Sequence, residues 1–142
     1  MVKQISVFLE NKSGRLAEVT EILAKNDIDI RALSIADTAD FGILRLIVNN
    51  PEKAETILKE KGFAVKITDV LAINVDDTPG ALAKVLKILN DAGLSVEYLY
   101  AFIGNAEKSA LVMLRVEDNA SALKVLLDNN VKIPTEDELN GL

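Results

Sequence analysis

Two short strings carry the residues of this chain best suited to chemistry. Glu10-Asn11-Lys12-Ser13-Gly14-Arg15-Leu16-Ala17 returns 66 positions later as Asp76-Asp77-Thr78-Pro79-Gly80-Ala81-Leu82-Ala83. Each combines a carboxylate, a polar turn and a glycine just ahead of an amphipathic helical stretch. The first N–H groups of a helix lack intrahelical partners, and the helix dipole adds partial positive charge there. A carboxylate or phosphate is the natural guest of such a turn, and glycine lets it approach the backbone. The same glycines also suit a plain tight turn from strand to helix, so both readings stand. Glu10, Asp76 and Asp77 could pair with a ligand ammonium group, and equally could cap the helix or sit in solvent.

Arg15, directly after the first glycine, suggests a phosphate grip of the acylphosphatase kind. Its counterpart is Ala81, and an arginine at a helix start is more commonly solvated. Of two tyrosines and four phenylalanines, Tyr98, Tyr100 and Phe102 fall on alternate positions of one strand-like run. The equivalent positions of the first copy, Ala32, Ser34 and Ala36, are small. Such a stripe reads as a pocket wall, an interface or core filling; tyrosine hydroxyls weaken the last.

The composition excludes several classes. Without cysteine or histidine, disulfides, thiolate nucleophiles, imidazole bases and the usual zinc ligands are all removed. No catalytic residue, metal site or cofactor is expected. A net charge of −6 and a pI near 4.7, with lysines interleaved among carboxylates, argue against nucleic acid. No signal peptide or membrane-length apolar run is visible, so a soluble cytoplasmic protein is expected, with no membrane partner.

The elements that must position the turns are also duplicated. Ile5, Val7 and Leu9 alternate with Gln4, Ser6 and Phe8, as Leu71, Ile73 and Val75 do in the same phase, the mark of a strand with one buried face. Helical stripes follow, with Leu16, Val19, Ile22 and Leu23 matched by Leu82, Val85, Ile88 and Leu89. Thr78-Pro79 looks like an N-cap and first helical residue. Second strands are expected over 28–36 and 94–103, and third strands over 41–48 and 109–116. The spacing grows from 66 to 68 between them, which places a longer hairpin loop at Gly104-Asn105-Ala106-Glu107. Second helices open near Pro51 and Asn119 and end at Gly62 and Asn130, the residue types that best tolerate a left-handed backbone. A last strand, 63–68, is cut short in the second copy by Pro134. The fold class is α+β: two ferredoxin-like βαββαβ domains in tandem, residues 1–68 and 69–142, antiparallel sheets with helices on one face. No flexible linker separates them, so a fixed relation is expected.

With turns, glycines and element order in place, the chain resembles the ACT family of amino-acid-binding regulatory domains. The second copy carries the family pattern in Asp76-Asp77-Thr78-Pro79-Gly80-Ala81-Leu82 and Asp91-Ala92-Gly93-Leu94-Ser95-Val96. The first departs from it with Ser13 for proline and Asp27 for glycine. The resemblance implies an amino acid held between the first loop of one domain and the second strand of its neighbour. By position, Asn11, Ser13, Gly14 and Arg15 would face one ligand, and Asp77, Thr78, Gly80 and Ala81 another. Ser34, Ile35 and Ala36, or Tyr100, Ala101 and Phe102, would complete the pockets. Both copies use essentially all the residues, which implies a stand-alone, non-catalytic amino-acid sensor, a homodimer acting on a partner such as a metabolic enzyme in trans. The rival readings are an interaction adaptor without ligand and, resting on Arg15, an acylphosphatase-like enzyme.

Overall fold

The structure, a computed structural model, describes residues 1–10, 12–37, 40–102 and 109–140. The chain divides into two compact units, Lys3–Thr68 and Asp69–Leu142, the latter joined by Met1–Val2.

In the first unit the elements run β1 (Val2–Glu10), α1 (Arg15–Lys25), β2 (Ile30–Asp37), β3 (Phe41–Val48), α2 (Pro51–Glu60) and the opening residues of β4 (Ala64–Asp76). The strands lie in the order β2-β3-β1-β4. β1 and β3 run antiparallel with Ile5 opposite Leu46 and Val7 opposite Leu44. That register gathers the apolar alternation of both strands on one face. Val19 and Leu23 of α1, with Ala54 and Leu58 of α2, close over it. Each large side chain buried there contributes about 1.5–3 kcal/mol, and this layer is the unit's core. On the opposite face Gln4 and Ser6 are buried, and the Gln4 amide donates to the Ser6 hydroxyl at 3.2 Å.

The second unit takes the rest of β4, then α3 (Ala81–Asp91), β5 (Val96–Ala101), β6 (Ser109–Val116), α4 (Asn119–Asp128) and a short α5 (Glu136–Asn140). Its strands lie in the order β4-β6-β5. Leu71 faces Leu114 and Ile73 faces Val112, under Val85 and Leu89 of α3 and Ala122 and Leu126 of α4. The duplication extends to irregularities: the register shifts between Ile30 and Ala32 in β2 and between Val96 and Tyr98 in β5. The expected α+β class, with βαββαβ repeats and helices over an antiparallel sheet, is the one found.

Three local expectations need correction. The second strands begin at Ile30 and Val96, two residues late, because the chain first completes a helix stop. Asp27 and Gly93 adopt φ of 56° and 74°, and the N–H groups of Ile28 and Leu94 return to the Leu23 and Leu89 carbonyls. This six-to-one bond is the Schellman motif, which Gly62 and Asn130 repeat. The last strand of the second copy is only an isolated bridge, in which the Asn74 N–H donates to the Lys132 carbonyl at 2.8 Å. Thr78 and Pro79 do not open α3, which begins at Ala81 with Gly80 as its cap. The hairpin loop expected at Gly104–Glu107 lies outside the described residues.

Candidate functional site: the strand-to-helix turns

The four long helices start in two ways. α2 and α4 are capped by side chains: Asn50 Oδ1 accepts from the Lys53 N–H at 3.2 Å, and Asp118 Oδ1 from the Ser121 N–H at 3.0 Å. The Ser121 hydroxyl, which donates to Asp118 Oδ2, and then this backbone N–H hold the Asp118 carboxyl below its ordinary pKa. α1 and α3 have no side-chain cap. Their cap residues are Gly14 at φ 85° and Gly80 at φ 88°, a left-handed backbone open to glycine at little cost. Around Gly80 the chain is pinned by its own bonds, Thr78 N–H to Asp76 carbonyl and Ala81 N–H to Thr78 carbonyl. The next two amides, Leu82 and Ala83, fall where a helix offers no partner. A cap is ordinarily worth about 1 kcal/mol, so the turns that repeat are the ones that forgo it.

The turns differ in charge. At the first, Glu10 accepts from Lys12 at 2.9 Å and lies 3.9 Å from Arg15, which also reaches Glu18 at 3.1 Å. The Lys12 hydrogen bond and charge, then Arg15, hold the Glu10 carboxyl below its usual range. Arg15 further stacks over the Phe63 ring, 5.2 Å from its centroid. The guanidinium is therefore engaged from three sides, which is not the posture of a phosphate grip. At the second turn neither Asp76 nor Asp77 makes an ion pair among the described residues.

Two clefts flank Gly80. One, of about 380 Å³, lies where α3 leaves β5 uncovered: Asp77, Thr78 and Gly80 form its rim, and Leu82, Leu99 and Ala101 are among its walls. The other, of about 460 Å³, opens on the far side of Gly80 and Ala81, toward Lys84, Asn130 and Lys132. It lies beside the single bridge that stands in for a fourth strand.

Of the residues expected to face ligand, Asp77, Thr78, Gly80 and Ala101 are brought together at the first cleft, and Ala81 lines the second. Tyr100 is only 8% exposed and stacks on Tyr98 with ring centroids 6.5 Å apart. It pairs with Met113, whereas Leu99 and Ala101 pair with Leu114 and Val112. Strand alternation thus turns Tyr98 and Tyr100 to the sheet face away from the cleft, and Phe102, half-buried, follows Ala101 in the chain. In the first unit Ser13 and Gly14 are exposed at the turn. Ser34 and Ala36 stand on the face opposite the helices, and Ile35 on the helix side. Asn11 lies outside the described residues. Sequence reasoning missed Leu82, Ala83 and Leu99. The helical stripe marked Leu82, and the alternation that singled out the tyrosines implied Leu99 on the other face.

Among the described residues no cluster of three or more histidine, cysteine or acidic side chains could hold a metal. No helix among them is long and apolar enough to cross a membrane.

The sequence model for the ACT domain pair matches residues 1–142. Protein BT0572 from Bacteroides thetaiotaomicron has a similar crystal structure, with a TM-score of 0.90 and 49% identity over 99% of this chain and 96% of that one. The ligand-free regulatory subunit of aspartate kinase from Thermus thermophilus shares the fold at a TM-score of 0.67 and 16% identity, covering 90% of this chain and 92% of that one. The corresponding subunit from Thermus flavus gives 0.59 and 17%, over 89% and 90%. No curated protein matches the chain.

Proposed function

We propose, from the premise that this chain belongs to the family of ACT domain pairs, that it is a non-catalytic regulatory protein whose second unit binds a free amino acid. The observation that carries the reading is the uncapped start of α3. The Leu82 and Ala83 amides lie at the edge of a cleft whose rim holds Asp76 and Asp77, two carboxylates that make no ion pair among the described residues. An α-carboxylate would take the amides and the helix dipole, and an α-ammonium the carboxylate side of the turn. The first turn, where Glu10, Lys12, Arg15 and Glu18 satisfy one another, is the weaker receptor.

β5 ends its sheet, and a strand with one free edge invites a cover. In this reading a second copy of the chain supplies it, in a homodimer, and the bound amino acid alters that edge. A metabolic enzyme regulated in trans reads the change. Binding shifts such an equilibrium only by its differential affinity for the two states. The phosphatase alternative loses its footing with Arg15 held by Glu10, Glu18 and Phe63. Isothermal titration against the twenty amino acids tests the proposal. One or a few should bind tighter than millimolar and raise the melting temperature; if none does either, the sensor reading is wrong.

A further inference from the structure

We propose that the amino acid taken at the second turn carries a branched aliphatic side chain, that of valine, leucine or isoleucine. The inference rests on the reading above, that this turn binds an amino acid, and adds what the cleft selects.

The two units correspond pair for pair. Leu9 faces Gly42 as Val75 faces Ala110, and Ile35 faces Leu44 as Ala101 faces Val112. In the first unit Ile35 folds over the Gly42 backbone: its Cδ1 lies 3.7 Å from where a Cβ on Gly42 would stand. In the second unit alanine replaces both residues of that contact, and Val75 and Val112 replace Leu9 and Leu44. Across the four positions the second unit has four fewer side-chain carbons, the number in one leucine or isoleucine side chain. The cleft of about 380 Å³ is lined by those same four positions. The first unit therefore carries in its own sequence the aliphatic group that the second leaves to be supplied.

Polarity within the cleft supports the same class. Its polar groups, Asp76, Asp77 and Thr78, sit at the turn, and the remaining walls are hydrocarbon from Leu82, Leu99 and the positions just named. A zwitterionic head fits the turn, and an apolar tail fits the floor. A lysine or aspartate side chain reaching the floor would lose its hydration with no counter-group to replace it. Ile35 at the matching place also leaves the first unit without such a floor, so one ligand binds per chain.

Titration of the full chain with L-valine, L-leucine, L-isoleucine, L-threonine, L-lysine and L-aspartate tests this. The aliphatic three should bind at one equivalent per chain, at least about tenfold tighter than lysine or aspartate. Ala101→Ile should restore the filled arrangement and abolish binding while keeping the parent's melting temperature. Ala101→Val, a smaller intrusion, should weaken leucine more than valine and serves if the larger variant fails to fold. Charged amino acids or threonine binding as tightly as the aliphatic three would overturn the class and leave the amino-acid reading standing. Aliphatic binding undisturbed by both variants would overturn the location. Binding by none of the six would overturn this inference; the twenty-amino-acid titration then separates that from failure of the sensor reading.

Discussion

Gly80 is where backbone requirement and proposed chemistry meet. A Cβ at Gly80 would touch nothing within 4 Å, yet its φ is 88°, so alanine there is strained by conformation alone, at about 1–2 kcal/mol. Gly14 has the same open surroundings and φ of 85°. Gly14→Ala and Gly80→Ala should therefore lower stability equally in chemical denaturation, while only Gly80→Ala weakens the amino acid. Equal effects of both variants on affinity would contradict the assignment of ligand to the second turn. These glycines were legible in the sequence because the whole string repeats and a left-handed position tolerates few substitutes. Side-chain direction was less legible. The tyrosines stood out by type, but facing follows from register, and a one-residue offset along β5 separates Ala101, in the cleft wall, from Tyr100, on the other face.

Helix stops and starts show how far an element can be read from residues alone. All four long helices end in a residue at positive φ: Asp27, Gly62, Gly93 and Asn130. Gly62 and Asn130 were readable as stops, whereas Asp27 hides one because aspartate seldom marks a left-handed position. Replacing it removes a side chain from strained backbone without touching the core, so Asp27→Gly should stabilise the first unit by about 1 kcal/mol, read as a rise in the denaturation midpoint. Unchanged or reduced stability would show that the Asp27 side chain compensates its backbone. The start of α3 is read too early from the sequence, since Thr78-Pro79 has the composition of a cap and first helical residue. The turn instead closes through the Thr78 and Ala81 N–H groups before the helix begins. α5 went unread although Thr135 precedes Glu138 at capping-box spacing, and the Thr135 hydroxyl does accept from the Glu138 N–H. Five residues are too few to show a period.

At the scale of the whole molecule, duplication carried the architecture: two copies of one element order, down to matching register shifts in β2 and β5, leave little freedom in fold class. The proposed site was legible only as a place, the pair of turns. Which turn is the better receptor depends on contacts that no linear pattern displays, the ion cluster of Glu10, Lys12, Arg15 and Glu18 and the seat of Ile35 over Gly42. The copies are thus alike in backbone and unlike in what they leave open. The central claim is that an amino acid docks its carboxylate on the free amides of α3. It is tested most directly by following backbone amide resonances while a binding amino acid is titrated into the labelled protein. Leu82 and Ala83 should shift most, with Gly80 and Ala101 beside them, while Leu16 and Ala17 at the matching start of α1 stay in place. Saturable shifts centred on Leu16 and Ala17, or none at Leu82 and Ala83 under saturating ligand, would contradict it.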